Sequence, residues 1–371
     1  MRILQVANFV TPTSGGQRVA LDELAARYVV AGHVCGRLVP GEVASVTRSG
    51  PVELHTVVGP RLPMSGGYRV AVSRSRVEKA VKEFMPDVIE LSDRTTLAWL
   101  PAWAKARGIP TVHFTHESVE RVIADRSAML RLGKPMVRRW RLDVASSCSA
   151  VVAASRWAAA EFDGLNDDVH VVPLGVDREI FNPVAGMGCD DDPYVMFAGR
   201  LSTEKRPEVV VDAVRLLTES GRPIRLVVAG SGPLEDRVRR AATGLDVRFL
   251  GFVQDRRVLA GLMARASVVA APSPFETFGL TVAESLSTGT PVVVSETSAA
   301  VELLDHGCGV AVPPTTEGVA SGIHHVLGLD RSASRTNCVA RSEMFSWDVA
   351  ARRMLGVFDR VCVRRTVREA A

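Results

Sequence analysis

Short apolar runs alternate with helical patterns along almost the whole chain. The first run covers residues 3–7, Gly15 and Gly16 follow it, and an amphipathic stretch then extends from about residue 17 to 31. The runs are rich in β-branched residues and do not alternate with polar positions, which is typical of strands buried on both faces. Strands that alternate with helices favour right-handed βαβ units and parallel sheets. The other predicted strands lie at residues 52–58, 88–91, 111–114, 150–153, 170–173, 194–198, 225–229, 247–250, 267–271 and 291–295.

The repeating pattern breaks once, near the middle of the chain. Residues 182–193 are rich in Pro, Gly and Asp and have no hydrophobic period, which indicates a linker. We therefore predict an α/β protein with Rossmann-like domains at residues 1–183 and 193–345, joined by a linker at 184–192. Ligands of such parallel sheets bind beyond the carboxyl ends of the strands, so the loops of both domains are expected to face a central cleft.

Composition and charge narrow the functional classes. The 371 residues are 47% hydrophobic and 23% charged, which excludes general disorder and suits two domains. A net charge of +4 fits anionic small molecules or an acidic membrane surface, and is too weak to indicate nucleic acid. The six cysteines lie far apart, so we expect neither a zinc site nor disulfides, and a cytoplasmic protein. We expect no signal peptide and no membrane-spanning helix.

The most informative motif covers residues 273–284. A predicted strand leads into a Pro-containing loop, and Gly279 then begins a helix whose amino end can bind phosphate. Glu276 precedes that end, and Glu284 lies roughly 7.5 Å along the axis from Gly279. Either glutamate alone is more often a solvated surface residue. Two carboxylates on opposite sides of an anion site, however, match the sugar–diphosphate–ribose layout of a nucleotide sugar.

Basic and glycine-containing loops follow other predicted strands. Arg200 and Lys205 lie between a strand end and the next helix, where two cations can neutralise leaving phosphates, although a solvated basic turn is the alternative. Gly16 allows a ligand to approach a helix start closely, but a tight turn explains the Gly15–Gly16 pair equally well. Gly230 is more readily explained as a turn former than as a ligand contact.

Three polar residues follow predicted strands of the N-terminal domain. His116 comes after strand 111–114 and is expected to face the cleft, whereas His113 on that strand is expected to be a core residue. Asp93 and Arg94 follow strand 88–91 and are weaker candidates for binding an acceptor. Residues 190–192 match an Asp-x-Asp metal motif, but they lie in the linker and are assigned to solvent. We predict no metal site and no cofactor.

A basic stretch extends from residue 121 to 141. It contains seven Lys or Arg residues and one acid, Asp125, which gives a net charge of +6, and apolar residues including Trp140 are interleaved. Such a segment can lie on an anionic membrane surface. An ordinary exposed helix that packs through its apolar side explains the pattern equally well.

The Glu-x7-Glu element, with Phe278–Leu280 inside it and Gly-Thr-Pro-Val after it, resembles family 4 of the retaining glycosyltransferases, which have the GT-B fold. Three further segments agree with the family in the same order: residues 197–206, 229–233 and 14–16. The resemblance extends from residue 1 to about 358. Arg206 departs from it, because the family usually has Gly there, and we expect a differently shaped loop.

The resemblance implies roles for individual residues. Glu276 orients the transferred sugar and His116 contacts it and aids catalysis. No nucleophile is implied, because the family retains configuration by front-face attack in which the leaving phosphate helps to deprotonate the acceptor. Residues 346–371 form a last helix that crosses back to the N-terminal domain. The implied donor-binding groups are Gly16, Arg200, Lys205, Gly230, the Phe278, Gly279 and Leu280 backbone, and Glu284.

The resemblance implies an enzyme that moves a hexose from a nucleoside-diphosphate sugar to a hydroxyl acceptor. Residues 5–9, 66–69 and 91–94 look most like GDP-mannose-dependent α-mannosyltransferases acting on phosphatidylinositol mannosides or related glycolipids. That would place a peripheral enzyme at the inner face of the cell membrane. The alternatives are a UDP-sugar used on a soluble acceptor, a nucleotide-sugar epimerase, a phosphorylase, and a module that binds a nucleotide sugar without turnover.

Overall fold

Two parallel sheets covered by helices organise the chain in a computed structural model. The structure describes residues 1–10, 15–62, 67–115, 134–186 and 192–370. One unit comprises Met1–Pro173 together with Trp347–Ala371, and the second comprises Leu174–Ser346. Each unit has its own sheet and its own hydrophobic core.

The first unit contains an eight-stranded sheet in the order β3-β4-β2-β1-β5-β6-β7-β8. All neighbouring strands are parallel except the β3–β4 hairpin at one edge, which is antiparallel. The strands are β1 (Arg2–Val6), β2 (Val34–Gly41), β3 (Ser45–Ser49), β4 (Val52–Val58), β5 (Val88–Leu91), β6 (Thr111–Thr115), β7 (Ala150–Ala153) and β8 (Val169–Val171).

Helices of the first unit pack through buried apolar side chains. In the second helix, for example, Val77, Val81 and Phe84 recur at helical spacing and are almost fully buried. The described helices of the first unit are α1 (Gly16–Val30), α2 (Arg74–Phe84), α3 (Leu100–Lys105), α4 (Lys134–Ser147), α5 (Arg156–Ala159) and the last helix of the chain, α12 (Trp347–Ala370).

The last helix packs on the first unit through α1. The Tyr28 and Phe358 rings meet edge to face, with centroids 5.6 Å apart, and both side chains are fully buried. Arg27 on α1 donates to Asp348 on α12 over 2.7 Å. This packing explains why the segment from Trp347 onward belongs to the first unit although it follows the second in sequence.

The second unit contains a six-stranded sheet in the order β11-β10-β9-β12-β13-β14, with all neighbours parallel. Its strands are β9 (Tyr194–Ala198), β10 (Arg225–Ala229), β11 (Val247–Gly251), β12 (Val268–Ala271), β13 (Val292–Ser295) and β14 (Gly309–Val312). Its helices are α6 (Pro207–Glu219), α7 (Glu235–Ala241), α8 (Arg256–Arg265), α9 (Leu280–Ser287), α10 (Thr316–Leu327) and α11 (Arg331–Ser342).

The change of unit falls at Pro173–Leu174 rather than in the predicted linker at 184–192. Residues 174–186 pack on the second unit, where Phe181 is fully buried and its carbonyl accepts a 2.6 Å hydrogen bond from Ser287 Oγ on α9. The Pro- and Gly-rich composition of the following stretch therefore does not mark the crossing. Residues 187–191 lie outside the described residues.

Within the described residues, no helix combines the length and the apolar character needed to cross a lipid bilayer.

A buried polar network lies beneath α1 in the first unit. Glu90 on β5 is fully buried, accepts a 3.1 Å hydrogen bond from Tyr28, and lies within 3.5 Å of the Gln5 amide nitrogen. Arg37 donates to the Gln5 side-chain oxygen over 2.9 Å. Burial raises the pKa of Glu90 from 4.5 to about 7, against the lowering effects of its hydrogen bonds and of Arg37.

We expect the contribution of Glu90 to the free energy of unfolding to fall as pH rises from about 4.5 to 7, because the folded state binds the Glu90 proton more tightly than the unfolded state does. Between pH 4.5 and 7, the free energy of unfolding of Glu90→Gln should decrease by roughly 1–3 kcal/mol less than that of the wild type, measured by urea unfolding. Glu83→Gln, at a half-exposed site on α2, is the control. An unchanged pH dependence in Glu90→Gln would contradict the assignment.

Candidate functional site

The amino end of α9 is shaped by Gly279. This residue has φ +97° and ψ +65°, in the left-handed region that favours glycine, and it directly precedes the helix. Within the described part of the chain, no side chain caps α9, and its first turn contains no acidic residue. The backbone N–H groups and the positive end of the helix dipole are therefore available to an anion.

The loop before α9 is held by contacts with three neighbouring segments. Ser273 Oγ donates to the carbonyl of Glu204 over 2.7 Å, and the Ala299 N–H donates to the carbonyl of Glu276 over 3.0 Å. The Phe278 ring is buried against Phe345, edge to face, with centroids 5.7 Å apart. The Phe278 side chain is thus a core group, and its backbone is the part that lies at the helix end.

The two glutamates of the motif each pair with a cation. Lys205 Nζ donates to Glu276 in a short ion pair, and the Glu276 side chain is 18% exposed. Glu284, 12% exposed, lies 3.5 Å from the guanidinium of Arg256. The sequence predicted the two carboxylates and Lys205 but missed Arg256. Its position directly after the β11 loop, at the start of α8, is the feature that points to it.

Arg200 and Lys205 both lie on the segment after β9. Arg200 is half-buried, and Lys205 ends a 3₁₀ turn at Thr203–Lys205. Arg206 then adopts φ +52° and ψ +47°, and its Nη1 donates to the Pro314 carbonyl over 3.1 Å. The arginine therefore takes the left-handed conformation that glycine adopts most readily, at a cost of about 1–2 kcal/mol. The expectation of a differently shaped loop here stays a prediction.

Gly230 lies where the loops after β9, β10 and β11 meet. Its N–H donates to the Gly251 carbonyl over 2.7 Å, and a Cβ on Gly230 would sit 1.8 Å from the carbonyl oxygen of Gly199. Glycine is therefore required by the close approach of two backbones. These contacts support the turn-forming role and do not themselves indicate contact with a ligand.

Gly15 and Gly16 lie at the start of α1. Gly16 is the first residue of α1, and both it and Gly15 are exposed. Gly15 has φ −83°, and no atom of the described chain lies within 4 Å of the position of a Gly15 Cβ. The tight-turn explanation therefore stays open. The close approach of a ligand remains a prediction.

Asp93 and Arg94 have internal roles in the first unit. Asp93 is 4% exposed and accepts hydrogen bonds from the Thr95 and Leu97 N–H groups over 2.9 and 3.1 Å, and burial raises the pKa of its carboxyl. Arg94 is equally buried and pairs with Glu161 at 2.9 Å. These contacts give both side chains structural roles, and contact with an acceptor stays a prediction.

Of the two histidines near the end of β6, the structure describes His113 but not His116. His116 lies outside the described residues. His113 is buried on β6, and its Nδ1 lies 3.0 Å from the Leu91 carbonyl, as expected of a core histidine. Most of the 121–141 basic segment and residues 190–191 also lie outside the described residues, whereas Asp192 is exposed. In the described ranges, no three His, Cys, Asp or Glu side chains come together as a metal site.

Comparisons with known proteins decide the family. The model of "Glycosyltransferase Family 4" matches residues 14–180, and that of "Glycosyl transferases group 1" matches residues 192–328. The chain is 36% identical over 373 residues to a GDP-mannose-dependent alpha-(1-6)-phosphatidylinositol dimannoside mannosyltransferase of Mycobacterium tuberculosis, with 98% of this chain and 97% of the relative covered. The chain belongs to the family 4 glycosyltransferases.

Other relatives and solved structures agree with this assignment. The glycosyltransferase is 31% identical over 306 residues to a D-inositol 3-phosphate glycosyltransferase of Jonesia denitrificans, covering 72% of this chain and 70% of that protein. Sucrose-phosphate synthase from Thermosynechococcus elongatus superposes with a TM-score of 0.80 at 19% identity, covering 98% and 99% of the two chains. Anabaena HepE in complex with UDP and glucose superposes with a TM-score of 0.72 at 18% identity, covering 97% of this chain and 99% of that chain.

These findings confirm three predictions for the glycosyltransferase. It is an enzyme, it belongs to the predicted family, and its two Rossmann-like units with parallel sheets have the GT-B fold.

Gly230→Ala tests the close approach of the Gly230 and Gly199 backbones in the glycosyltransferase. We expect a loss of several kcal/mol of unfolding free energy, because the Cβ would overlap the Gly199 carbonyl. Gly244→Ala is the matched control: Gly244 also has positive φ, but no described atom lies within 4 Å of its Cβ position. It should lose only about 1 kcal/mol. Equal losses in urea unfolding would contradict the close approach at Gly230.

Proposed function

We propose that this glycosyltransferase transfers mannose from GDP-mannose to a hydroxyl of a glycolipid acceptor, with retention of the anomeric configuration. The observation that carries the proposal is the uncapped end of α9 at Gly279, flanked by Glu276 and Glu284. The name of the full-length Mycobacterium tuberculosis relative supports GDP-mannose and a phosphatidylinositol mannoside acceptor.

The diphosphate of the donor binds at the amino end of α9. The backbone N–H groups of Gly279 and Leu280 face its charge, and Arg200 and Lys205 neutralise it. Glu284 accepts hydrogen bonds from the ribose hydroxyls, and Glu276 accepts them from hydroxyls of the transferred sugar. The short Lys205–Glu276 pair supports this arrangement, because the phosphate and sugar subsites must adjoin and these two side chains already touch.

Donor binding exchanges the partners of Lys205. Before binding, the ammonium group neutralises Glu276. When the diphosphate arrives, its greater negative charge attracts Lys205, and Glu276 becomes available to the sugar. Glu276 therefore orients the sugar and does not act as a nucleophile.

The chemical step follows from the proposed retention. The bond from the sugar C1 to the leaving phosphate oxygen breaks, and the acceptor oxygen bonds to the same face of C1. The acceptor proton passes to the leaving phosphate. Cations at the phosphate stabilise its developing charge, which is the main contribution available to these side chains.

In the first unit, Gly16 and His116 keep the roles that the resemblance implies for them. The exposed start of α1, with no described atom within 4 Å of a Gly15 Cβ, supports the close approach of a ligand there. The net charge of +6 between residues 121 and 141 supports peripheral contact with an anionic membrane at its cytoplasmic face.

A second candidate function is sugar transfer to a soluble phosphorylated inositol from a nucleotide sugar other than GDP-mannose. The Jonesia denitrificans relative, named a D-inositol 3-phosphate glycosyltransferase, favours this candidate. Its shorter coverage, 72% of this chain against 98%, makes it the weaker guide.

Variants of the ion pair test the site. Glu276→Gln should reduce turnover by about 10²–10³-fold, because sugar orientation is lost, while GDP binding stays equal or tightens, because Lys205 no longer pairs with a carboxylate. Lys205→Met should weaken GDP binding about tenfold. Glu204→Gln, in the same turn, is the control. Normal turnover in Glu276→Gln, or unchanged GDP affinity in Lys205→Met, would contradict the assigned roles.

Donor and reaction type are tested with nucleotides and nucleotide sugars. Calorimetry should give at least tenfold tighter binding of GDP than of UDP, and GDP-mannose should be hydrolysed slowly to GDP and mannose in the absence of acceptor. With vesicles that contain phosphatidylinositol mannosides, mannose should enter the lipid. Tighter UDP binding with transfer to inositol phosphate would favour the second candidate, and interconversion of sugars would indicate an epimerase.

A further inference from the structure

Arg256 joins three parts of the second unit. Its Nη2 lies 3.5 Å from Glu284 Oε1 on α9, and its Nη1 lies 4.0 Å from Asp177 Oδ2. Its guanidinium carbon lies 5.2 Å from the centre of the Phe181 ring. The side chain is 30% exposed, so one part is packed and another part remains accessible to solvent.

The residues behind Arg256 are themselves fixed. Asp177 Oδ1 accepts hydrogen bonds from the Glu179 and Ile180 N–H groups over 3.1 and 3.2 Å, which leaves Oδ2 toward Arg256. Phe181 is fully buried, and its carbonyl accepts from Ser287 Oγ on α9. The segment on which Arg256 rests is thus attached to the helix that carries Glu284.

The cap at the start of α8 fixes the backbone that carries Arg256. Asp255 caps the helix, and its Oδ1 accepts a 2.8 Å hydrogen bond from the Arg257 N–H. A planar guanidinium that lies over an aromatic ring and contacts a carboxylate on either side has few alternative orientations. Arg256 is therefore prearranged before any ligand binds.

We propose that Arg256 is a positioning residue for the nucleoside part of the donor, acting through Glu284. This inference rests on the proposed function, in which Glu284 accepts hydrogen bonds from the ribose. A glutamate side chain has three torsions, and fixing it on binding costs conformational entropy. By holding Oε1 in the free enzyme, Arg256 removes that cost.

Charge supports the same role. Glu284 and Asp177 both lie within 4.0 Å of one guanidinium, so removal of the cation would leave two acidic side chains without their shared partner. Glu284 would then move away from Asp177 or rotate. Its contact with the ribose hydroxyls would weaken, whereas the phosphate contacts at α9 would be retained.

The test compares a nucleoside diphosphate with its 2′,3′-dideoxy form, which lacks both ribose hydroxyls. The base is that of whichever of GDP and UDP the wild type binds more tightly. Calorimetry on the wild type should show at least tenfold weaker binding of the dideoxy form, because hydrogen bonds to a carboxylate are lost. In Arg256→Gln the normal nucleotide should bind about tenfold more weakly and the dideoxy penalty should shrink to about twofold.

Two further variants keep the outcome interpretable. Arg256→Lys retains the charge and should recover part of the dideoxy penalty. Arg257→Gln, at the exposed next position of α8, should leave it unchanged. In steady-state kinetics, Arg256→Gln should raise KM for the donor with little change in kcat, because the reacting sugar is not contacted.

A dideoxy penalty in Arg256→Gln equal to that of the wild type would overturn the inference. The same holds if Arg256→Gln fails to fold and Arg256→Met, a second uncharged variant, shows the wild-type penalty and affinity. A wild type that binds neither GDP nor UDP would instead contradict the proposed function.

Discussion

The proposed donor site depends on the amino end of α9, where a left-handed glycine replaces a capping side chain. Ser, Thr, Asp or Asn at position 279 would satisfy one of the first N–H groups and reduce the attraction for an anion. Gly279 provides the turn without such a group, and in the described chain no other side chain caps the helix. Strand β12, the Ser273–Glu204 hydrogen bond and the buried Phe278 ring hold this end in place.

Charge around this helix end is balanced before a ligand is present. Glu276 pairs with Lys205, and Glu284 pairs with Arg256. The two pairs differ in what binding requires of them. In the proposed donor complex, Lys205 moves from carboxylate to phosphate, whereas Arg256 stays where Asp177 and Phe181 hold it. We propose that one cation changes partner while the other holds a carboxylate in place.

The sequence predicted those features that have a local cause. Buried parallel strands leave apolar runs, and a helix end after a strand leaves the Pro, Gly and Glu pattern of residues 273–284. Strands β2, β3 and β14 were missed for equally local reasons. Gly36, Arg37 and Pro40 interrupt the apolar run of β2, all five residues of β3 are exposed, and three of the four residues of β14 are only partly buried.

Features that depend on distant contacts were not predictable from the sequence. Arg94 follows a strand end, but its ion pair is with Glu161, 67 positions away in the chain. The change of unit at Leu174 depends on the packing of Phe181 against α9. The role of Arg256 depends on residues 79 and 28 positions away in the chain, Asp177 and Glu284.

The most direct test of the central claim is a crystal structure of the full chain with a bound nucleoside diphosphate. We expect phosphate oxygens within hydrogen-bond distance of the backbone N–H groups at Gly279 and Leu280, with Lys205 turned from Glu276 toward the phosphate. A diphosphate bound away from α9, with the Lys205–Glu276 pair intact, would contradict the account.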